Sequence, residues 1–192
     1  MVNFEKTVES LRCTGFNPMP DTVSIKIPEA KDILWRGLKY FCGEDANWLP
    51  EYDRVAEWMT DNRGRGLLCF GNCGRGKTVI CEKILPVLIN HYCRRIVTLI
   101  DAAKLGNELE SIRQKHLVCI DDIGVENISV KYGERKIPFA EIVDDAEKSG
   151  KLLLITTNLN IDELTAKYGE RVVDRLRGIT KTVKFEGKSM RK

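Results

Sequence analysis

The chain has 192 residues, of which 43% are hydrophobic and 31% charged, and 31 basic against 28 acidic side chains leave a formal net charge of +3. That length suits one domain with a real core and short appendages, and the composition excludes a disordered chain, a collagen-like repeat and a disulfide miniprotein. With so small a net charge, no overall field commits the molecule to nucleic acid or to anionic lipid, so any such contact is local.

In chain order, residues 1–30 mix short apolar groups with Pro18, Pro20 and Pro28, too broken a pattern for one long helix and more like an extended arm. From Asp32 to Cys42 the apolar positions Ile33, Leu34, Trp35, Leu38, Tyr40 and Phe41 allow a helix. A second helix is expected over Glu51–Asp61, where Tyr52, Val55, Trp58 and Met59 fall at helical spacing after Pro50. Residues 1–45 are therefore read as an arm with its lead-in helix, and 46–192 as the main domain.

The texture then changes. Gly66–Gly71 is a short apolar run between glycines, followed by a helical stretch from Lys77 to about Asn90. Buried runs recur at 95–100, 116–121 and 151–156, with a more polar last strand at 181–185, and helical patterns fill the gaps. Continuous apolar strands separated by helices imply a parallel sheet covered on both faces, because both sides of each strand are then buried. The expected class is a three-layer α/β domain with a mainly parallel five-stranded sheet. Lys-Tyr-Gly-Glu-Arg occurs twice, at 131–135 and 167–171, but the flanks do not match and no repeat architecture follows.

No run approaches the roughly 18 to 20 apolar residues that a membrane span needs, and Met1–Ser10 lacks the basic-then-apolar order of a signal peptide, so a cytoplasmic protein is expected. The seven cysteines form no Cys-x-x-Cys pair and, with His91 and His116 alone, no zinc-ligand spacing. Reduced, mostly buried thiols are expected.

The strongest chemical signal is Gly71-Asn72-Cys73-Gly74-Arg75-Gly76-Lys77-Thr78, which fits G-x-x-x-x-G-K-[ST] directly after a predicted strand and at the start of a predicted helix. Glycines in such a loop let backbone N–H groups converge on phosphate oxygens, and the following helix presents its positive end. Lys77 is placed to reach the β and γ phosphates and the Thr78 hydroxyl to ligate Mg²⁺, so a nucleoside triphosphate with Mg²⁺ is the expected ligand. A second acid must hold the metal from the carboxyl end of a neighbouring strand. Leu117-Val118-Cys119-Ile120-Asp121-Asp122 supplies it: Asp121 closes the apolar run, and Asp122 is suited to orienting the attacking water or accepting its proton.

Asn158 ends the next apolar strand, where it either hydrogen-bonds the γ-phosphate or the lytic water, or serves as a turn or cap residue. Arg171 and Arg175 stand four apart and share one helix face, where arginines are ordinarily solvated.

Five ordered segments carry a family resemblance: the loop Gly71–Thr78, Cys-Ile-Asp-Asp-Ile-Gly-Val-Glu at 119–126, Ile-Thr-Thr-Asn-Leu at 155–159, Tyr-Gly-Glu-Arg-Val-Val-Asp-Arg-Leu at 168–176, and Phe-Glu-Gly-Lys-Ser-Met-Arg at 185–191. Together they resemble the DnaC-type helicase loaders, AAA+ ATPases related to DnaA initiators and IstB transposition ATPases, over about residues 50–191. The resemblance implies an AAA+ P-loop fold of the ASCE type, without a C-terminal lid domain in this length. It implies ATP as the nucleotide, Asp121 and Asp122 as the Walker B pair, Asn158 as sensor 1, and Arg171 as an arginine finger reaching a neighbouring subunit's nucleotide. Catalytic roles thus fall to Lys77, Asp122, Asn158 and Arg171, nucleotide contacts to Gly71–Thr78, and the metal to Thr78 and Asp121.

The resemblance also implies an ATP-dependent ring or spiral of identical subunits, a replicative helicase as partner, and single-stranded DNA as ligand. Arg63, Arg65, Arg94, Arg95, Lys181, Lys184, Lys188, Arg191 and Lys192 are the basic residues available for DNA, and ordinary solvated charge explains them equally. The sensor 2 role is vacant or falls to Arg191. Asp122, where many AAA+ enzymes carry Glu, points to slow turnover that assembly stimulates. An IstB-like ATPase serving a transposase shares the same active site, and a small P-loop kinase is the third reading. Within the phosphate loop, Cys73 is either turned into the protein or exposed, where alkylation would block nucleotide.

Overall fold

A computed structural model describes residues 2–16, 20–126, 129–131 and 134–190. The chain opens with α1 (Phe4–Arg12), a short helix inside the segment expected to be extended; the Asn3 side chain caps it by accepting from the Lys6 N–H, and none of its residues is buried. Residues Ile25 and Ile27 then enter the core directly. Helices α2 (Ala30–Cys42) and α3 (Pro50–Thr60) follow, the latter starting on a proline whose missing N–H is unneeded at a first helical position.

Strand β1 (Gly66–Gly71) runs into the phosphate loop, and the helix after it is not uniform. Val79–Ile84 is a π-helical stretch that passes into α4 (Leu85–Cys93). Pro86 explains the widened turn, since it has no N–H to donate one turn back and its ring crowds the carbonyl there. Next come β2 (Thr98–Asp101), α5 (Leu105–Arg113) and β3 (Leu117–Ile123). A hairpin of β4 (Ser129–Lys131) and β5 (Glu134–Lys136), absent from the expectation, precedes α6 (Pro138–Ser149). The chain continues through β6 (Leu152–Thr157), α7 (Ile161–Tyr168), α8 (Glu170–Ile179) and β7 (Thr180–Phe185).

The main sheet has five strands in the order β2-β3-β6-β1-β7, and every neighbouring pair is parallel. Alternate residues feed two cores. Leu67, Cys69, Cys119, Leu154 and Phe185 face α2, α3 and α4, whereas Leu68, Val118, Ile120, Leu153 and Ile155 face α5, α6, α7 and α8. This is the three-layer, mainly parallel α/β arrangement anticipated from the apolar runs. Strand β6 lies between β1 and β3, so the carboxyl ends of all three open side by side at one edge of the domain. Of the cysteines, only Cys69, Cys81 and Cys119 are buried, Cys42 and Cys93 are partly so, and Cys13 and Cys73 are exposed, so the thiols are not mostly buried as expected. No described helix is long and apolar enough to cross a membrane.

Leu154 is fully buried on the central β6, registered between Leu67 of β1 and Cys119 of β3. Leu154→Ala is expected to lower unfolding stability by about 2–5 kcal/mol, read as a shift of the urea midpoint, because a rigid sheet cannot collapse into the space left.

Candidate functional site

The site is assembled where the carboxyl ends of β1, β6 and β3 meet, in an open cleft of about 420 Å³ lined by the phosphate loop, Asp121, Asp122, Thr156 and Asn158. Lys77 is its hub. Its ammonium donates to the carbonyls of Gly71 and Asn72 at 2.7 and 2.8 Å and to Oδ1 of Asn158 at 2.9 Å. The side chain is buried, and desolvation holds its pKa below the ordinary lysine value. Asp121 and Asp122 work against that shift by favouring the cation.

Thr78 Oγ1 donates to the Asp121 carboxylate at 3.0 Å, so the hydroxyl and acid that the motif predicts as metal ligands stand in contact. Thr156 organises the pair of acids: its hydroxyl donates to Asp121 Oδ1 and accepts from the Asp122 N–H at 2.9 Å. Asn158 Nδ2 donates to Asp122 Oδ1 at 2.8 Å. Burial, then the neighbouring Asp121, raise the Asp122 carboxyl above its usual value. Asp122 also sits at φ 58°, in the left-handed region that few non-glycine residues adopt and that its surroundings stabilise. Here the Thr156 bond to its N–H and the Asn158 bond to its carboxylate do so.

Two segments far apart in sequence hold the loop from behind. Arg75 does not point into the cleft: its guanidinium is buried and bonds Glu51 of α3 at 2.7 and 2.8 Å, leaving only its backbone to the loop. Tyr52, the next residue of α3, donates its hydroxyl to the Arg75 carbonyl at 2.9 Å. On the other side the end of β7 and the tail after it hold the loop, with Asn72 N–H on Phe185 O and Met190 N–H on Gly74 O, both at 2.8 Å. Gly74, at φ 71°, needs both its freedoms, since a Cβ there would lie 2.0 Å from the Ser189 hydroxyl.

The structure thus brings Gly71–Thr78, Asp121, Asp122 and Asn158 together, and leaves Arg171 elsewhere. Arg171 is exposed on α8 in a separate cleft with Thr165, Glu170 and Asp174, and makes no ion pair among the described residues. Arg175, on the same helix, reaches neither Asp174 nor Glu170 but the α6 acids Asp144 and Glu147. Of the basic residues considered for DNA, Lys181 pairs with Glu57 and Lys184 with Glu186, and Arg65 donates to the carbonyls of Arg177 and Thr180. Arg191 and Lys192 lie outside the described residues. Cys73 is exposed on the cleft wall. Thr156, Glu51 and Tyr52 escaped the sequence reading. Thr156 lies within a quoted motif, but only its position between two acids gives it a task.

No protein-family model matches the chain. A stretch of 74 residues is 39% identical to the replicative helicase loader DnaC of Escherichia coli K12, and equally to those of Escherichia coli O157:H7 and Shigella flexneri. The match takes in 38% of this chain and spans 28% of the length of those relatives. Among solved structures, DnaI superposes with a TM-score of 0.54 at 17% identity over 93% of this chain and 89% of its own. The DnaC helicase loader gives 0.51 at 18% identity over 84% of this chain and 93% of that one. Domain III of DnaA from Thermotoga maritima gives 0.56 at 20% identity, covering 74% and 65%. The matched segment is thus similar to part of the DnaC helicase loaders, and the fold of the chain is similar to those of DnaI, DnaC and domain III of DnaA. The strand between the phosphate-loop strand and the acid-bearing strand is then the fold's own device for setting Asn158 between Lys77 and Asp122.

Two substitutions test the buttress behind the loop. Glu51→Ala leaves the Arg75 guanidinium buried without its acid and is expected to cost about 3–5 kcal/mol of unfolding stability. Tyr52 has its pKa pushed up to about 12, chiefly by burial and then by Glu51. The neutral phenol is therefore the form the fold favours, and its contribution is complete below the ordinary value of 10.0 and is lost as pH rises from there towards 12. Urea unfolding on either side of pH 10 should show this decline in the native chain and a smaller one in Tyr52→Phe, which also loses about 1 kcal/mol with its hydrogen bond.

Proposed function

We propose that this chain binds and hydrolyses ATP and acts as a DnaC-like helicase loader or primosome component in DNA replication. The observation that carries the reading is the unbroken contact chain Thr78–Asp121–Thr156–Asp122–Asn158–Lys77 at the mouth of a phosphate loop. A hydroxyl against a carboxylate is a hard-oxygen pair that suits Mg²⁺, so Thr78 and Asp121 would hold the ion with the nucleotide's phosphates. When bound, Mg²⁺ supplies charge neutralisation across the β- and γ-phosphates.

The chain's own residues divide the remaining work. Backbone N–H groups of Gly71–Thr78 cradle the phosphates, and Lys77 gives up its carbonyl partners for phosphate oxygens. Asp122, its carboxyl raised in pKa and oriented by Asn158, takes hydrogen bonds from the attacking water, while the Asn158 amide aligns that water with the γ-phosphate. Arg171 stands in a different cleft from Lys77, which supports a role on the nucleotide of an adjacent subunit. A ring or spiral of identical chains follows from that role, with replicative helicase and single-stranded DNA as its partners. The matched curated proteins are helicase loaders, which favours this reading over a transposition ATPase.

ATP turnover measured against protein concentration, with and without single-stranded DNA, tests the proposal. The rate per subunit should rise with concentration, and Arg171→Ala should lower it on the order of 10³-fold while nucleotide binding survives. A concentration-independent rate that Arg171→Ala leaves unchanged would remove the finger. Chelation of divalent cations should abolish turnover. A thiol reagent should label Cys73 in the apoprotein and be excluded by Mg-ATP; equal labelling in both states would show that nucleotide does not cover the loop.

A further inference from the structure

The turn that follows the two acids is gripped by the helix corner that carries Arg171. Glu126 is 6% exposed, yet its carboxylate is fully occupied: Oε2 accepts the Gly124 N–H at 2.7 Å and Oε1 accepts the Tyr168 hydroxyl. Lys167 donates to the Gly124 carbonyl and lies 3.8 Å from Glu126 Oε1. Tyr168 is itself buried, its ring 4.9 Å from that of Phe139. At the other end of the turn the Val125 N–H returns to the Asp122 carbonyl at 3.4 Å, and Asn158 holds the Asp122 carboxylate. Gly124 itself sits at φ 117°, with the Leu159 side chain packed where a Cβ would stand.

Beyond Tyr168 the chain leaves the core for three residues, until Val172 and Val173 of α8 return to it. Gly169 breaks the helix at φ 89°, a Cβ placed there would meet nothing within 4 Å, and Glu170 and Arg171 are exposed. The last buried residue before the finger is therefore the one bonded to Glu126. Burying a carboxylate is costly unless every oxygen is satisfied, and a satisfied buried network enforces one geometry.

We propose that Glu126 and Tyr168 form a latch that sets the Arg171 corner in register with the Asp122 turn, which makes both of them positioning residues for hydrolysis in the adjacent subunit. The latch rests on the trans role of Arg171 proposed above and adds to it a physical link between a subunit's own acid and the finger it presents to its neighbour. Misplacing a charged group by about 1 Å costs on the order of 10²-fold in rate, so the latch need move only slightly to matter.

Subunit mixing separates this from a general effect on folding. Lys77→Ala chains keep a finger but lack a working site, and Arg171→Ala chains keep a site but lack a finger, so a mixture turns over ATP only where the first faces the second. Adding Tyr168→Phe to the Lys77→Ala chain should lower the mixture's kcat by about 10- to 100-fold with KM for ATP unchanged, whereas adding it to the Arg171→Ala chain should leave kcat nearly intact. Glu126→Gln, which retains a hydrogen bond to Tyr168, should show the same asymmetry at smaller amplitude and serves if Tyr168→Phe folds poorly. Equal losses in either chain, or none in the finger-bearing chain, would overturn the latch. Failure of the unmodified Lys77→Ala and Arg171→Ala mixture to turn over ATP would overturn the trans finger, and the latch with it.

Discussion

One buried ammonium joins the ends of two strands, and the rest of the site is arranged around it. Lys77 bonds the carbonyl that terminates β1 and the amide that follows β6, in surroundings that depress its pKa. A cation in that position is tolerable only if acceptors and acids surround it. The carbonyls of Gly71 and Asn72 supply the first, and Asp121 and Asp122 the second. The order β3-β6-β1 makes this possible, because it places an acid-bearing strand end and an amide-bearing strand end within one lysine's reach. Adjacent β1 and β3 would have brought the acids nearer but left no strand end for Asn158.

The two acids pose an opposite difficulty, since burial and then the neighbouring Asp121 disfavour the charge on Asp122. The structure separates their tasks through Thr156. Its hydroxyl is a donor to Asp121 and an acceptor for the Asp122 N–H, so one side chain fixes the first carboxylate and the backbone of the second. The register of β3 against β6 changes between Ile120 and Ile123, and Asp122 takes its positive φ within that irregularity. Asp121 is thereby directed to Thr78 and Asp122 to Asn158, although they are consecutive. Strain at one residue is what lets two neighbours face different groups.

The parallel sheet and the phosphate loop were readable from the sequence because both rest on local signals. A strand buried on both faces must be apolar throughout, as in Leu152–Thr157, and a loop that approaches phosphates needs glycine at fixed positions. What escaped reading was long-range. Arg75 looks like a loop residue free to meet a ligand until α3 brings Glu51 against it, and Arg175 looks like a solvated arginine until α6 packs beside α8. The π-helical stretch was local but overlooked, since the apolar spacing after Lys77 reads as an ordinary helix unless Pro86 is weighed. Helix α1 was also local, capped by Asn3, and the prolines farther on drew the reading away from it. Glu126 and Tyr168 each fell within a quoted motif, but their partnership spans two helices and three strands.

The phosphate loop owes its shape as much to the ends of the chain as to its own glycines. Before the loop, α3 lends Glu51 and Tyr52; after the last strand, the tail lends the carbonyls of Phe185 and Gly187 and the N–H of Met190. A glycine-rich loop left to itself would sample many conformations, and the entropy lost on ordering it around a ligand would weaken binding. Fastening it through backbone bonds on one side and a buried ion pair on the other moves that loss from binding to folding. The Glu51–Arg75 pair suits this use better than an apolar contact of the same size, because paired charges in a buried setting hold direction as well as distance. Helix α3 and the stretch that ends the chain's last strand are in this sense part of the site, although neither carries a residue of the phosphate-loop motif.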